Sequence, residues 1–156
     1  MGYNKGSLEQ VKAQGNVTGA AGSDVGGLVG LHDVGSKIET ASASGNVTGG
    51  VGSVVGGLVG RNGGTIDKSS ASGRVDSAGV SQRGGLIGLN VGYLYNSTFT
   101  GLIAPKSKEG QWVGSLIGSN FGGESKNNTV TGAPLTNRCM AEAYQVPGNI
   151  ARDIPQ

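Results

Sequence analysis

A single cysteine, Cys139, stands in the 156 residues, so neither an internal disulfide framework nor a cysteine-built zinc site can form within the chain. Aromatic residues are 4% and hydrophobic residues 35% of the sequence, too little bulk for a wide globular core; whatever core exists must be narrow. Charged residues make up 14%, against roughly 25% in ordinary globular proteins, which leaves Ser, Thr, Asn and Gly to cover the surface. The net charge of +2 comes from scattered Lys and Arg with no basic run. With so few aromatics to stack on bases, neither nucleic-acid binding nor membrane binding is expected. No stretch approaches the ~18 apolar residues of a membrane span, and the N-terminal MGYNKGSLEQVK lacks the apolar centre of a signal peptide. If the parent protein is exported, its signal lies outside this sequence. One histidine, His32, excludes the two-histidine HExxH helix of a zinc peptidase.

Glycine is abundant: 32 residues, without the every-third spacing of collagen and with only four prolines. A block recurs four times, GGLVG at Gly26 to Gly30 and Gly56 to Gly60, GGLIG at Gly84 to Gly88, and GSLIG at Gly114 to Gly118, at spacings of 30, 28 and 30 residues. A second glycine follows each block, at Gly45, Gly73, Gly101 and Gly132, with Val47, Val75 and Ile103 two positions beyond the first three. Counting back from it gives two columns of inward candidates, Ala43, Ala71, Phe99 and Val130, and Ile38, Ile66, Leu94 and Ser125, which Ala13 and Leu8 extend towards the N-terminus. A further column comprises Asn4, Asn62, Asn90 and Asn120, with His32 taking its place in the first full unit. The chain thus starts halfway through a repeat; Met1 reads as an added or truncated start, or as the open end of a small subunit that a neighbour covers.

Within a unit the apolar residues alternate or come in short runs, never in sustained helical spacing. Glycine every few residues would cost a helix close to ~1 kcal/mol each, which excludes helical solenoids. About three short strands rich in Val, Ile and Thr fit each unit. If every unit is one coil, equivalent residues stack about 4.8 Å apart, so that Leu28, Leu58, Leu86 and Leu116 form one file and the asparagines a hydrogen-bonded ladder at a turn. The expectation is an all-β, right-handed parallel β-solenoid (β-helix) of about 28 to 30 residues per coil and four to five coils. It occupies residues 1–132, with units near 2–25, 26–55, 56–83, 84–113 and 114–132. Residues 133–156 abandon the repeat, and Pro134, Pro147 and Pro155 bracket a short helix around Asn137 to Tyr144; this tail is a cap or a linker.

The candidate chemistry is thin. Asp24, Asp33 and Glu39 lie near His32 but on different faces, with no Ser or Cys nucleophile in an elbow. GGLVG lacks the Lys-Ser/Thr of a phosphate loop and recurs four times, which argues for architecture. Carboxylates occupy no repeating column, against a calcium-binding roll. The outward Thr18 and Thr48 become Asp76 and Ala104, which breaks a threonine row of the ice-binding kind. Asn16, Asn46, Asn96 and Asn127 begin Asn-x-Ser/Thr sequences open to glycosylation in a suitable host. Trp112, Tyr93, Tyr95 and Phe121 gather in the last two repeats, either as packing residues or as a contact patch for a sugar or protein.

The stretch GGLVGRNGGTIDKSSASGRV, from Gly56 to Val75, resembles the GLUG repeat of large bacterial surface adhesins and some secreted immunoglobulin A peptidases, and GGLIGLNVGYLYNSTFTGLI, from Gly84 to Ile103, matches it nearly as well. The resemblance runs from Gly2 to about Gly132. It departs from the pattern at two extra residues around Leu31 to Ser36, at Ser115 in place of glycine, and at Ser125 in place of an inward apolar residue. It implies a parallel β-solenoid displayed extracellularly and does not imply catalysis; no catalytic residue, cofactor or metal is expected. The expected function is therefore a structural or adhesive repeat module of a bacterial secreted or cell-surface protein, a rigid stalk or binding surface for a host-cell or matrix protein or glycan. The alternatives are a self-assembling filament subunit that stacks end to end and the non-catalytic scaffold of a secreted peptidase.

Overall fold

The computed structural model describes residues 1–79, 81–104 and 112–131. Gly132, the tail 133–156 with Cys139, and the short helix expected there lie outside the described residues. The described residues form an all-β parallel solenoid of about four turns, with no helix among them. A complete coil contributes to five sheets, not to the three strands expected from the repeat. Strands of two to four residues are too short to leave a periodicity in the sequence, and five of them pass as three apolar clusters.

Sheet 1 stacks Tyr3–Asn4, Val29–His32, Val59–Asn62, Ile87–Asn90 and Ile117–Asn120. Sheet 2 stacks Ser7–Glu9, Lys37–Glu39, Thr65–Asp67, Tyr93–Tyr95 and Glu124–Lys126. Sheet 3 stacks Lys12–Ala13, Ser42–Ala43, Ser70–Ala71, Thr98–Phe99 and Thr129–Val130. Sheet 4 holds Val17–Thr18, Val47–Gly49, Arg74–Ser77 and Leu102–Ile103, and sheet 5 holds Asp24–Gly26, Val54–Gly56, Gln82–Gly84 and Trp112–Gly114.

All pairings are parallel, and their register places like on like. Leu8, Ile38, Ile66, Leu94 and Ser125 form one file. Ala13, Ala43, Ala71, Phe99 and Val130 form another. The leucines of the glycine block stack at a corner, where the Leu28 N–H donates to the Leu58 carbonyl at 2.9 Å, Leu58 to Leu86 at 3.0 Å and Leu86 to Leu116 at 2.9 Å. All of these apolar residues from the second coil onward are buried, apart from Val130, which packs against the core at its edge. Each large aliphatic side chain so removed from water contributes about 1.5–3 kcal/mol before entropy is counted. The two extra residues of the second coil fall between His32 and Lys37: Asn4 pairs with His32, but Ser7 with Lys37, a register that lengthens from 28 to 30.

The glycine block is a consequence of closeness. A Cβ on Gly26 would lie 2.0 Å from the Val29 carbonyl oxygen of its own coil, one on Gly27 2.3 Å from the Gly57 oxygen of the next coil, and one on Gly30 2.6 Å from the Asp24 oxygen. Sheet 5 therefore folds back against sheet 1 backbone to backbone, which only glycine permits. On its other side Val25 and Val55 sit over Gly19, which follows the sheet 4 strand Val17–Thr18, and Gly49 of sheet 4, where a Cβ would lie 2.2 and 2.3 Å from their Cγ2 atoms. Sheet 5 is thus covered on both faces. Ser115, the departure from the glycine pattern, stands in the last described coil, so no described coil follows it to meet its Cβ.

Candidate functional site

Two polar ladders run along the corners of the solenoid. In the first, Asn62 Nδ2 donates to Asn90 Oδ1 at 2.8 Å and Asn90 Nδ2 to Asn120 Oδ1 at 3.1 Å. Each amide also closes its own turn: Asn62 Oδ1 accepts from Gly64 N at 3.2 Å, Asn90 Oδ1 from Gly92 N at 3.3 Å, and Asn4 Oδ1 from Gly6 N at 3.2 Å. His32 continues the file, with Nδ1 3.0 Å from Asn4 Nδ2 and Nε2 3.3 Å from the Thr65 carbonyl. All five side chains are buried, so their hydrogen-bonding groups must be met from within, and the coil-to-coil bonds meet them. Burial holds the His32 imidazole below its ordinary protonation range, more strongly than the carbonyl hydrogen bonds and the Asp33 charge raise it.

The second ladder leaves no mark in the sequence. The Ala41 N–H donates to Ser69 Oγ at 3.2 Å, the Ser69 N–H to Ser97 Oγ at 3.2 Å, and the Ser97 N–H to Asn128 Oδ1 at 2.8 Å. Asn128 also donates 2.7 Å to Ser125 Oγ, which satisfies the hydroxyl that replaces the inward aliphatic residue in the last described coil. Beside this ladder lies a corner at which Gln10, Thr40, Lys68, Asn96 and Asn127 all take positive φ, between 49° and 57°. Only the two asparagines are suited to that conformation, so composition offers no signal for the other three.

The outward faces are mixed. Sheet 2 presents Glu9, Glu39 and Asp67 in register, which corrects the expectation that carboxylates occupy no repeating column. The two-residue insertion hides their spacing. Lys37 Nζ lies 2.8 Å from Glu39 and Asn96 Nδ2 donates to Asp67 Oδ1 at 2.8 Å, so the column is shared with amide and ammonium groups. No group of three His, Cys, Asp or Glu among the described residues is placed to hold a metal. The acidic residues near His32 part company: Asp33 accepts from the Tyr3 hydroxyl at 2.5 Å, Asp24 lies 3.3 Å from Arg61 Nε, and Glu39 is paired with Lys37. Thr18, Thr48 and Asp76 share one register position, as the broken threonine row requires.

The four aromatics come together as two pairs. Tyr93 and Tyr95 lie on sheet 2 with ring centroids 6.0 Å apart and planes at 29°, and Trp112 and Phe121 are 6.5 Å apart at 52°. Tyr93 and Phe121 are about half exposed, at 47% and 48%; Trp112 and Tyr95 are partly covered. Glycosylation candidates Asn16 and Asn46 have their Oδ1 atoms engaged by the Asn46 and Arg74 N–H groups at 2.9 and 3.0 Å.

One buried charge has no signature in the sequence. Arg83 occupies the file of Val25, Val55 and Val113 on sheet 5, is 1% exposed, and places Nη1 3.3 Å from Asp76 Oδ1. Burial lowers its affinity for the proton and Asp76 partly restores it. At the first-coil end, a cavity of about 320 Å³ opens between sheets 1, 4 and 5, lined by Met1, Val17, Ser23, Asp24 and Gly30 among others.

The model of the GLUG motif matches residues 21–48 and 51–76. Each match spans one complete coil, from the turn before sheet 5 to the strand of sheet 4, and the coils that follow continue the register. The chain therefore carries GLUG repeats built as a β-solenoid. No curated protein and no solved structure matches it.

Proposed function

We propose that this GLUG-repeat solenoid is a structural and adhesive module of a bacterial secreted or cell-surface protein, a rigid stalk whose outward faces bind a host-cell or matrix protein or glycan. The observation that carries the reading is the division of labour in each coil: apolar files and polar ladders are spent on joining neighbouring coils, while Lys12, Ser42, Ser70, Thr98 and Thr129 on sheet 3 and the tyrosines on sheet 2 face outward. Such a plan adds length and surface with every repeat. The test is twofold: antibody labelling of the parent protein on intact cells, and binding of the purified chain to arrays of matrix proteins and glycans. Labelling confined to the cell interior, or an array blank at ~100 μM protein, where even weak ligands of this affinity register, would remove the reading.

A second reading is a filament subunit that stacks end to end. It is favoured by the like-on-like register of successive coils, which lets one coil pair with another of the same repeat. Size-exclusion chromatography and electron microscopy over a dilution series decide it, and a strictly monomeric particle at high concentration sinks it.

A further inference from the structure

On sheet 3 each coil sets one hydroxyl residue on either side of the buried file of Ala43, Ala71, Phe99 and Val130. The pairs are Ser42 and Ser44 in the second coil, Ser70 and Ser72 in the third, Thr98 and Thr100 in the fourth, and Thr129 and Thr131 in the fifth. Alternation along a strand turns both members of each pair away from the core. The result is two parallel rows of hydroxyl groups, and neither row holds a charged side chain in these four coils. The outward row of sheet 4, by contrast, breaks where Thr18 and Thr48 give way to Asp76.

The fold makes no use of these hydroxyls. The buried serines of the adjoining corner, Ser69 and Ser97, donate to the Asp67 and Tyr95 carbonyls at 2.8 and 2.7 Å. None of the eight in the two rows bonds through its side chain to another group among the described residues, and five of the eight are exposed. Their backbone is nevertheless fixed, because every one of their N–H groups donates to the preceding coil at 2.9 or 3.0 Å. Row members therefore stand about 4.8 Å apart from coil to coil and about 6.6 Å apart along a strand. The β-branch of threonine restricts χ1, so the hydroxyls of the fourth and fifth coils are held more firmly than those of the serines.

We propose that the outward face of sheet 3 binds ice, its hydroxyl rows meeting a water lattice of nearly the same repeat. A small sugar or a peptide is recognised by a few unlike groups that converge on it, whereas these rows offer one group at one spacing and suit a ligand that itself repeats. Water frozen into a tetrahedral network, with O–H···O separations of about 2.75 Å, places second-neighbour oxygens about 4.5 Å apart, close to the spacing of the coils. The fixed backbone means that little of the protein is ordered on binding. The inference concerns this face alone and rests neither on display at a cell surface nor on a host ligand.

The test is partition into slowly grown polycrystalline ice of the purified chain and a co-dissolved globular control protein, with both fractions assayed. Expected is a several-fold enrichment of the wild type in the ice over the control. Ser72→Lys combined with Thr100→Lys, two exposed positions at the centre of one row, should return the chain to the control level with its circular dichroism unchanged. Ser42→Thr, Ser44→Thr, Ser70→Thr and Ser72→Thr combined should raise the enrichment. Exclusion of the wild type from the ice overturns the inference, and so does undiminished enrichment of the folded lysine variant. Should the lysine variant not fold, the four-threonine variant decides: greater enrichment supports the ice face, and unchanged or lower enrichment refutes it. Retention of the wild type on crystalline cellulose or chitin, together with exclusion from ice, gives the face to a polysaccharide and overturns the inference as well.

Discussion

Adding one methyl group at Gly73 should disrupt the solenoid, and adding it at the equivalent Gly15 should not. A Cβ on Gly73 would stand 2.0 Å from the Gly45 carbonyl oxygen and 2.6 Å from its carbon, both in the preceding coil. Relief requires the coils to part by more than 1 Å, against roughly 3.5–4.0 Å for an unstrained contact. That parting strains the adjoining bonds, among them the Arg74 N–H to Asn46 Oδ1 at 3.0 Å and the Ser72 N–H to the Ala43 oxygen at 3.0 Å. Overpacking at about 1–3 kcal/mol and two weakened hydrogen bonds at about 1 kcal/mol each put the cost of Gly73→Ala near 4 kcal/mol. A Cβ on Gly15 meets nothing within 4 Å, and its backbone is not in the left-handed region, so Gly15→Ala should stabilise by about 0.4–1 kcal/mol through the unfolded chain. Urea denaturation followed by far-ultraviolet circular dichroism measures both. Equal effects of the two substitutions would show that coil-to-coil closeness is not why the glycine recurs.

Three further outcomes follow from the same geometry. Asn90→Ala removes the rung that joins Asn62 to Asn120 and leaves their buried amides short of partners, so the urea midpoint should fall by an equivalent of about 3 kcal/mol, more than for Asn120→Ala at the edge of the described ladder. Thr40→Asn replaces a β-branched residue held at φ 53° by one that tolerates the conformation, and should raise stability by about 1 kcal/mol; loss of stability would place the strain elsewhere. Arg83→Met puts an apolar chain of similar length among Val25, Val55 and Val113 and should leave stability unchanged or raise it by about 1 kcal/mol in calorimetry, because the guanidinium charge is no longer desolvated.

The vertical files are legible because glycine anchors them: Gly45, Gly73 and Gly101 recur where a Cβ would lie about 2 Å from a neighbouring coil's backbone, and counting from them locates Ile38, Ala71 and Phe99 without error. The asparagine file is legible for a related reason, since a buried amide that bonds both its own turn and the next coil has few substitutes. What stays hidden lacks such a chemical demand. Strands such as Ser70–Ala71 are too short to show alternation, and the left-handed corner accepts Gln10 and Lys68 at modest cost. Arg83 reads as a surface residue because nothing in a sequence reveals that sheet 5 is covered on both faces. The acidic file of Glu9, Glu39 and Asp67 is lost to an insertion that shifts its period from 30 to 28.

Successive coils of the solenoid lie one strand spacing apart, and spin labels on the outward file of sheet 3 measure that spacing directly. With Cys139 replaced by serine and labels paired at Lys12 and Thr98, then at Lys12 and Thr129, electron–electron double resonance should give backbone separations of about 14 and 19 Å, three and four steps of about 4.8 Å. Separations that do not grow by one strand spacing per coil would contradict the stacked solenoid.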